Sequence, residues 1–430
     1  MFRASLTTAL LTLPLQVFAA DLYVSAARGD NGAAGTKEAP FKDLDVAASK
    51  AKPGDTLHVA AGNYFGVRGK GYIELKEPVT LLGGYDDAFS KRDVLGQPTL
   101  IQPTNESAGK SRKPLLTLTS SKKGNLLKVD GFIFDAGARN SYHKAEGKPE
   151  GVETGLMLIP PEKSGEDAPT VTEPCLTVET AASAGDVELV NNVFVNCANF
   201  AVQAGHKQGT FKIVNNVFVA NRMAAIEVYG TGGKKGPKGP TEKDGEVEVA
   251  NNTILFTWSR VKDFQDMGYG VRVMTNLGYD IHHNIIGGSV FSAVDHTRFN
   301  KGEWVKLDKN VFFGSKQSDL TFSEAGNVQL ERVKVKDFGD LGLASAQGNQ
   351  ELIPKLPIDK AYLEGYLSAS YSEKADYDPN SAANQFREAM GLNKQGKLTT
   401  KVSMFANRYP WKEALKLFGA HPEFGAQSPK

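Results

Sequence analysis

V-E-L-V-N-N-V-F-V-N (187–196) is the stretch whose reading decides the fold, because the chain writes it again and again. Copies follow as F-K-I-V-N-N-V-F-V-A (211–220), V-E-V-A-N-N-T-I-L-F (247–256), Y-D-I-H-H-N-I-I-G-G (279–288) and V-K-L-D-K-N-V-F-F-G (305–314), with a degenerate one, L-L-K-V-D-G-F-I-F-D (126–135), upstream. Each is a short β run, a polar pair and a second β run. The pair closes on Asn192, Asn216, Asn252, Asn284 and Asn310, spaced 24, 36, 32 and 26 residues apart. A helix-free repeat of that length is one coil of a solenoid: a single coil cannot bury its own apolar face, and stacked coils can. Stacked Asn side chains hydrogen-bond up the stack, and Asn tolerates the left-handed backbone of a tight turn. The expected fold is therefore all-β, a right-handed parallel β-helix with an N-terminal helical cap and a partly helical C-terminal tail.

The cap is read from residues 41–50, where Phe41, Leu44, Ala47 and Ala48 share one helical face. Pro40 stands before it and Pro53-Gly54 after it. An uncovered first coil would expose apolar core and unpaired strand edges, so some cap is required. Residues 1–19 read as a cleaved signal peptide, with Arg3, a short apolar stretch and Val17-Phe18-Ala19 before the cut. That stretch is too short to span a bilayer, and no later segment is a candidate. Residues 20–325 form the capped solenoid in this reading. Residues 326–430 form an irregular tail with helices over 376–393 and 409–419, packed on the solenoid or capping its far end. Localisation is expected to be secreted or periplasmic, and the protein monomeric. A net charge of +1 gives no general attraction to nucleic acid or membrane. Cys175 and Cys197 are about one coil apart; a disulfide between coils and two buried thiols both remain open.

Several strings resemble the N-terminus of bacterial right-handed parallel β-helix proteins of the pectate-lyase-like superfamily. They are G-T-K-E-A-P-F (35–41), the alanine-rich helix, P-G-D-T (53–56), G-N-Y (62–64), V-T-L-L-G-G-Y-D-D-A-F-S-K-R-D (79–93) and T-L-I (99–101). The resemblance covers roughly residues 21–325 and implies the fold. Its members include polysaccharide lyases, hydrolases, epimerases and non-catalytic surface proteins, so the site must choose the reaction.

The site is sought from strand alternation. In the third strand of successive coils Val202, Ile226, Val271 and Val294 should point inward, which turns Gln203, Glu227, Arg272 and Asp295 outward, with Thr177 and Thr321 at either end of the column. Rungs about 4.8 Å apart would let Arg272 touch both carboxylates. Tyr229 lies two residues beyond Glu227, with His206, Lys207 and Arg298 at the column's edge. Two long insertions, one carrying Lys234 and Lys235, enter at the same rungs and are expected to wall a groove. The competing reading is a solvated salt-bridge ladder without chemistry.

For chemistry, Arg272, Glu227, Tyr229 and Asp295 are the catalytic candidates, and Gln203, His206, Lys207, Lys234, Lys235 and Arg298 the substrate-binding ones. β-Elimination beside a uronic acid needs its carboxylate neutralised, a base and an acid; Arg272 and the lysines suit the first, and Tyr229 or a lysine the second. A Glu with nearby lysines and an Arg on the next rung loosely resembles alginate and chondroitin lyases of β-helix fold. Glu227 and Asp295 could alternatively hold Ca²⁺; no other cofactor is indicated. The expected function is a lyase on an acidic polysaccharide. The alternatives are an inverting hydrolase using Glu227 and Asp295, a uronan epimerase, and a non-catalytic carbohydrate-binding protein. His282 and His283 are read as turn residues, and His296 as pointing inward.

Overall fold

The computed structural model describes residues 19–65, 72–101, 114–119, 126–135, 173–179, 185–351 and 422–429, apart from 196, 198, 220, 222, 232–234, 237–238, 256, 258–267, 290, 299, 316 and 324–329. Most of the segment read as a signal peptide, Lys234 and the helices expected over 376–393 and 409–419 lie outside the described residues.

The described residues form three nine-stranded sheets, each taking one strand from almost every coil. Val187–Val190, Val193–Val195 and Phe200–Gly205 are successive members of the first, second and third sheets, and each pairs in parallel with its counterpart one coil on. The repeat thus becomes a parallel β-helix, as its spacing demands.

The Asn pair divides its labour. Its first member takes the left-handed turn: Asn191, Asn215, Asn251, His283 and Lys309 all have φ between 51° and 60°. Its second member faces inward and stacks. Asn192, Asn216, Asn252 and Asn284 each donate a backbone N–H to the next Asn Oδ1, at 2.8, 2.9, 2.8 and 3.0 Å. The side-chain amides run up the same ladder, and all five Asn side chains are buried. In the degenerate coil Gly131 takes the turn at φ 86°, and the Phe132 N–H bonds Asn192.

Past the turn, Phe134, Phe194 and Phe218 stack inside, with ring centroids 4.8 and 4.9 Å apart and planes within 6°. All three are fully buried; each contributes roughly 1.5–3 kcal/mol of transfer free energy. The cap helix is Leu44–Lys50, shorter than expected, and it buries Leu44, Ala47 and Ala48. Phe41 precedes it and bridges to Val24 beside the first coil. Cys175 and Cys197 are joined by a disulfide, which ties the entry of one third-sheet strand to the exit of the next coil's second-sheet strand.

Coil pairing does not end near residue 325. Glu331–Val333 adds antiparallel to Ser318–Phe322, Gln350–Glu351 adds parallel to Val311–Phe313, and Asn349 Oδ1 accepts the Asn310 N–H as the next place in the ladder. The sequence reading missed this coil because a long excursion separates its strands and Asn349 precedes no β-branched run.

Candidate functional site: an ion ladder beside an arginine-lined cleft

Third-sheet strands enter around a corner, so two successive residues face the core. Ala201-Val202, Ala225-Ile226, Gly270-Val271 and Ala293-Val294 are all buried there. Gly270 is required: a Cβ would come within 2.6 Å of Ile286 and 2.7 Å of the Ala293 carbonyl. The residues on either side of each inward pair then face out. Beyond the pair lies the expected column, in register as Thr177, Gln203, Glu227, Arg272, Asp295 and Thr321. Before the pair lies an outer apolar cluster of Phe200, Met223, Ala224, Tyr269 and Phe291.

The column's charges are closed on one another. Arg272 donates from Nη1 to Glu227 Oε2 at 2.8 Å and from Nε to Asp295 Oδ2 at 3.0 Å. Gln203 Nε2 donates to the other Glu227 oxygen at 2.7 Å, and Thr297 Oγ1 to the other Asp295 oxygen at 2.6 Å. Glu227, Arg272 and Asp295 are 5%, 3% and 0% exposed. Burial works against the Arg272 charge, but Asp295 and Glu227 outweigh it and hold its pKa above the ordinary guanidinium value. The trio is therefore a buried ladder of ion pairs, neither solvated nor lining an open groove. Two roles read from the sequence do not fit this geometry. With both carboxylates bonded to it, Arg272 is occupied and buried, and it is poorly placed to neutralise a substrate carboxylate. Glu227 and Asp295, separated by a guanidinium, share no site for Ca²⁺, and the described residues hold no group of three metal-ligating side chains.

The other candidates scatter. His206 is buried, edge-on to the core ring Phe211 and bonded to the Gly209 carbonyl, so it faces the coil interior and not the column. Its strand has ended by then, and the chain is already turning toward the next first-sheet strand. Lys207 is exposed, and Tyr229 is half-buried at its strand's end, paired with Gly205. Lys235 belongs to a two-stranded hairpin with Gly239–Pro240, and its side chain is outside the described residues. His282 and His283 lie at the Asn turn, as expected. His296 is buried and stacked on Phe322 at 4.8 Å, and burial lowers its pKa.

Open space lies immediately beyond Asp295. A cleft of about 610 Å³ is lined by Tyr269, Phe291, Thr297, Arg298, Thr321, Leu330 and Arg332. Its floor is aromatic, with the Arg332 guanidinium 5.7 Å from the Phe291 ring and Arg272 lying 5.5 Å from the Tyr269 ring. Leu330 on its rim is 61% exposed. Among the described residues, two arginines and no carboxylate line it. Thr297 joins ladder to cleft, since it lines the cleft while donating to Asp295. Of the candidate site residues read from the sequence, the cleft takes Arg298, and Thr321 at the end of the column lines it too. Tyr269, Phe291 and Arg332 were missed: Tyr269 sits one step before its inward pair, where simple alternation turns it into the core, Phe291 lies two steps before its own, ahead of the strand, and Arg332 comes from an antiparallel strand outside the repeat.

A family model described as "Protein of unknown function (DUF1565)" matches residues 27–121, the cap and the first coils. No curated protein matches the chain. Among solved structures, the GH136 lacto-N-biosidase from Eubacterium ramulus is similar at 9% identity and a TM-score of 0.34, over 70% of this chain and 62% of that one. A rhamnogalacturonan lyase is similar at 10% identity and a TM-score of 0.31, over 70% of this chain and 75% of that one. This chain thus spans less than two thirds of the lacto-N-biosidase. The described chain is a three-sheet parallel β-helix carrying a closed ion ladder and, next to it, an open cationic cleft with an aromatic floor.

Proposed function

We propose that this protein is an exported polysaccharide lyase of the pectate-lyase-like β-helix type, which binds an acidic, uronate-containing chain in the arginine-lined cleft and cleaves it by β-elimination. The observation that carries the reading is the cleft's lining: Arg298 and Arg332 beside Tyr269 and Phe291, with no carboxylate among the described lining residues. Aromatic faces suit sugar rings, and fixed guanidinium forks suit carboxylates. In the elimination a base takes the proton on the carbon bearing the carboxylate. The electron pair forms the double bond to the neighbouring carbon, and the glycosidic oxygen leaves with a proton. Arg298 and Arg332 would stabilise the charge that develops on the carboxylate, and Tyr269, the phenol of the cleft floor, would serve proton transfer. The ion ladder acts as scaffold, holding Thr297 and the adjacent wall through Asp295. An inverting hydrolase built on Glu227 and Asp295 is disfavoured because both carboxylates are committed to Arg272. The signal peptide read at 1–19 and the Cys175–Cys197 disulfide support export to an oxidising compartment.

A second reading, a non-catalytic binder, is favoured by one observation: the carboxylates of the column are saturated and buried. Ultraviolet absorbance of unsaturated uronate ends separates the two. Mature protein incubated with a panel of uronate polymers should raise it, and Arg298→Gln and Arg332→Gln should depress the rate. Retention of those polymers without absorbance or new reducing ends would leave the binder.

A further inference from the structure

The outer face of the Asn turns carries a second arrangement, unconnected with the cleft. Residues 422–429 run across three coils there. Gly425 N–H bonds the His283 carbonyl at 2.8 Å, Ala426 N–H bonds Thr253 Oγ1 at 2.9 Å, and Gln427 meets Asn215 twice. In that pair Asn215 Oδ1 accepts the Gln427 N–H at 2.6 Å and Asn215 Nδ2 donates to its carbonyl at 3.1 Å. Asn251 Nδ2 reaches the Glu423 carbonyl at 3.5 Å. Phe424 and Ala426 are buried, and Phe424 stacks on the His283 ring. The fit leaves no room at Gly425, which has φ +72°: a Cβ would come within 2.7 Å of Ile285 and 2.8 Å of Thr253 Oγ1.

One position in this surface carries an ionisable ring pair. Where other coils place Asn in the left-handed turn, this coil places His283, and His282 Nδ1 lies 2.8 Å from His283 Nδ1. Such a contact requires one ring nitrogen to donate and the other to accept. His282 also faces Glu248, 3.7 Å from its Nε2, so in this contact His282 Nδ1 is assigned as donor and His283 Nδ1 as acceptor. A proton on His283 Nδ1 sets two N–H groups against each other beneath Phe424. Around His283, burial, His282 and Lys309 oppose its charge, while Glu423 and Asp280 favour it, and its pKa is lowered in sum.

We propose that residues 422–429 are a pH-sensitive latch, docked on the turn column while the His282–His283 pair shares one proton and released when both rings are protonated. A group with a folded pKa below its free value withdraws stability as pH falls through the free value, so docking is complete above about pH 6.5 and weakens on acidification.

Hydrogen exchange of the Gly425, Ala426 and Gln427 amides tests this on the full chain. After correction for intrinsic exchange, their protection should fall at least about tenfold between roughly pH 7.5 and pH 5. The ladder amides of Asn216 and Asn252 should stay protected throughout. His283→Asn installs the residue that neighbouring coils use, so it keeps the turn and should abolish the pH dependence. Gly425→Ala should remove protection at both pH values. Protection that is the same at both pH values in the unsubstituted protein, or a pH dependence unchanged by His283→Asn, would overturn the proposal.

Discussion

Two ladders climb this molecule, one of neutral amides inside the Asn turn and one of ions on the outer face of the third sheet, and both are buried. An Asn side chain donates and accepts, so the same residue repeats without limit: five coils carry it and Asn349 adds a sixth place. A charged side chain only donates or only accepts. The ion ladder must therefore alternate, and it ends after three rungs on the neutral groups Gln203 and Thr297. Amides build architecture by repetition. The ions mark one place in the stack, and the cleft opens at that place.

The largest expected effect breaks the ion ladder. Arg272→Met leaves two carboxylates buried without their partner and should lower unfolding free energy by about 3–5 kcal/mol in a denaturant titration. The triple change Glu227→Gln, Arg272→Met, Asp295→Asn should recover much of that loss, because the uncompensated charges are gone. If Arg272→Met alone is near neutral, the burial assigned to this ladder is wrong. Breaking the amide ladder comes next. Asn252→Ala leaves the Asn216 N–H without its acceptor and should cost about 1–3 kcal/mol by the same titration. Asn252→Asp tests the same point, since a carboxylate accepts but cannot donate to the Ile213 carbonyl.

The cleft arginines belong to neither ladder and sharpen the contrast. Arg332→Gln should leave stability within about 0.5 kcal/mol. It should weaken binding of an acidic oligosaccharide about tenfold, close to 1.4 kcal/mol, in calorimetry, and leave any binding of a neutral one unchanged. The smallest effect concerns Asp319, a buried carboxylate on the last third-sheet strand of the parallel stack. Burial raises its pKa, with Lys334 and the Val335 N–H opposing. A raised carboxylate pKa means stability present at low pH that is lost as pH rises through the folded value. Asp319→Asn should therefore raise Tm slightly at neutral pH and leave it unchanged where Asp319 is already protonated.

Much of this was legible from residues alone, for reasons of period. Asn spacing located the coils, and strand alternation placed Thr177, Gln203, Glu227, Arg272, Asp295 and Thr321 in one column without reference to any coordinate. Local pattern suffices there because each rung repeats its neighbour's backbone. Depth is a different matter. Rung spacing says that Arg272 can touch both carboxylates; it does not say that they and their caps would bury it, since that depends on rotamers across four coils. The cleft needed the corner that turns two successive residues inward, which puts Tyr269 on the outer face, and an antiparallel strand that brings Arg332 back beside Phe291. The latch joins residues 172 and 212 positions apart. What the sequence by itself determined is the solenoid, its register and its outward column, all properties of a short repeat. Only tertiary structure decided which charges are spent on each other and which face open space, because that is settled by contacts between segments with no common period.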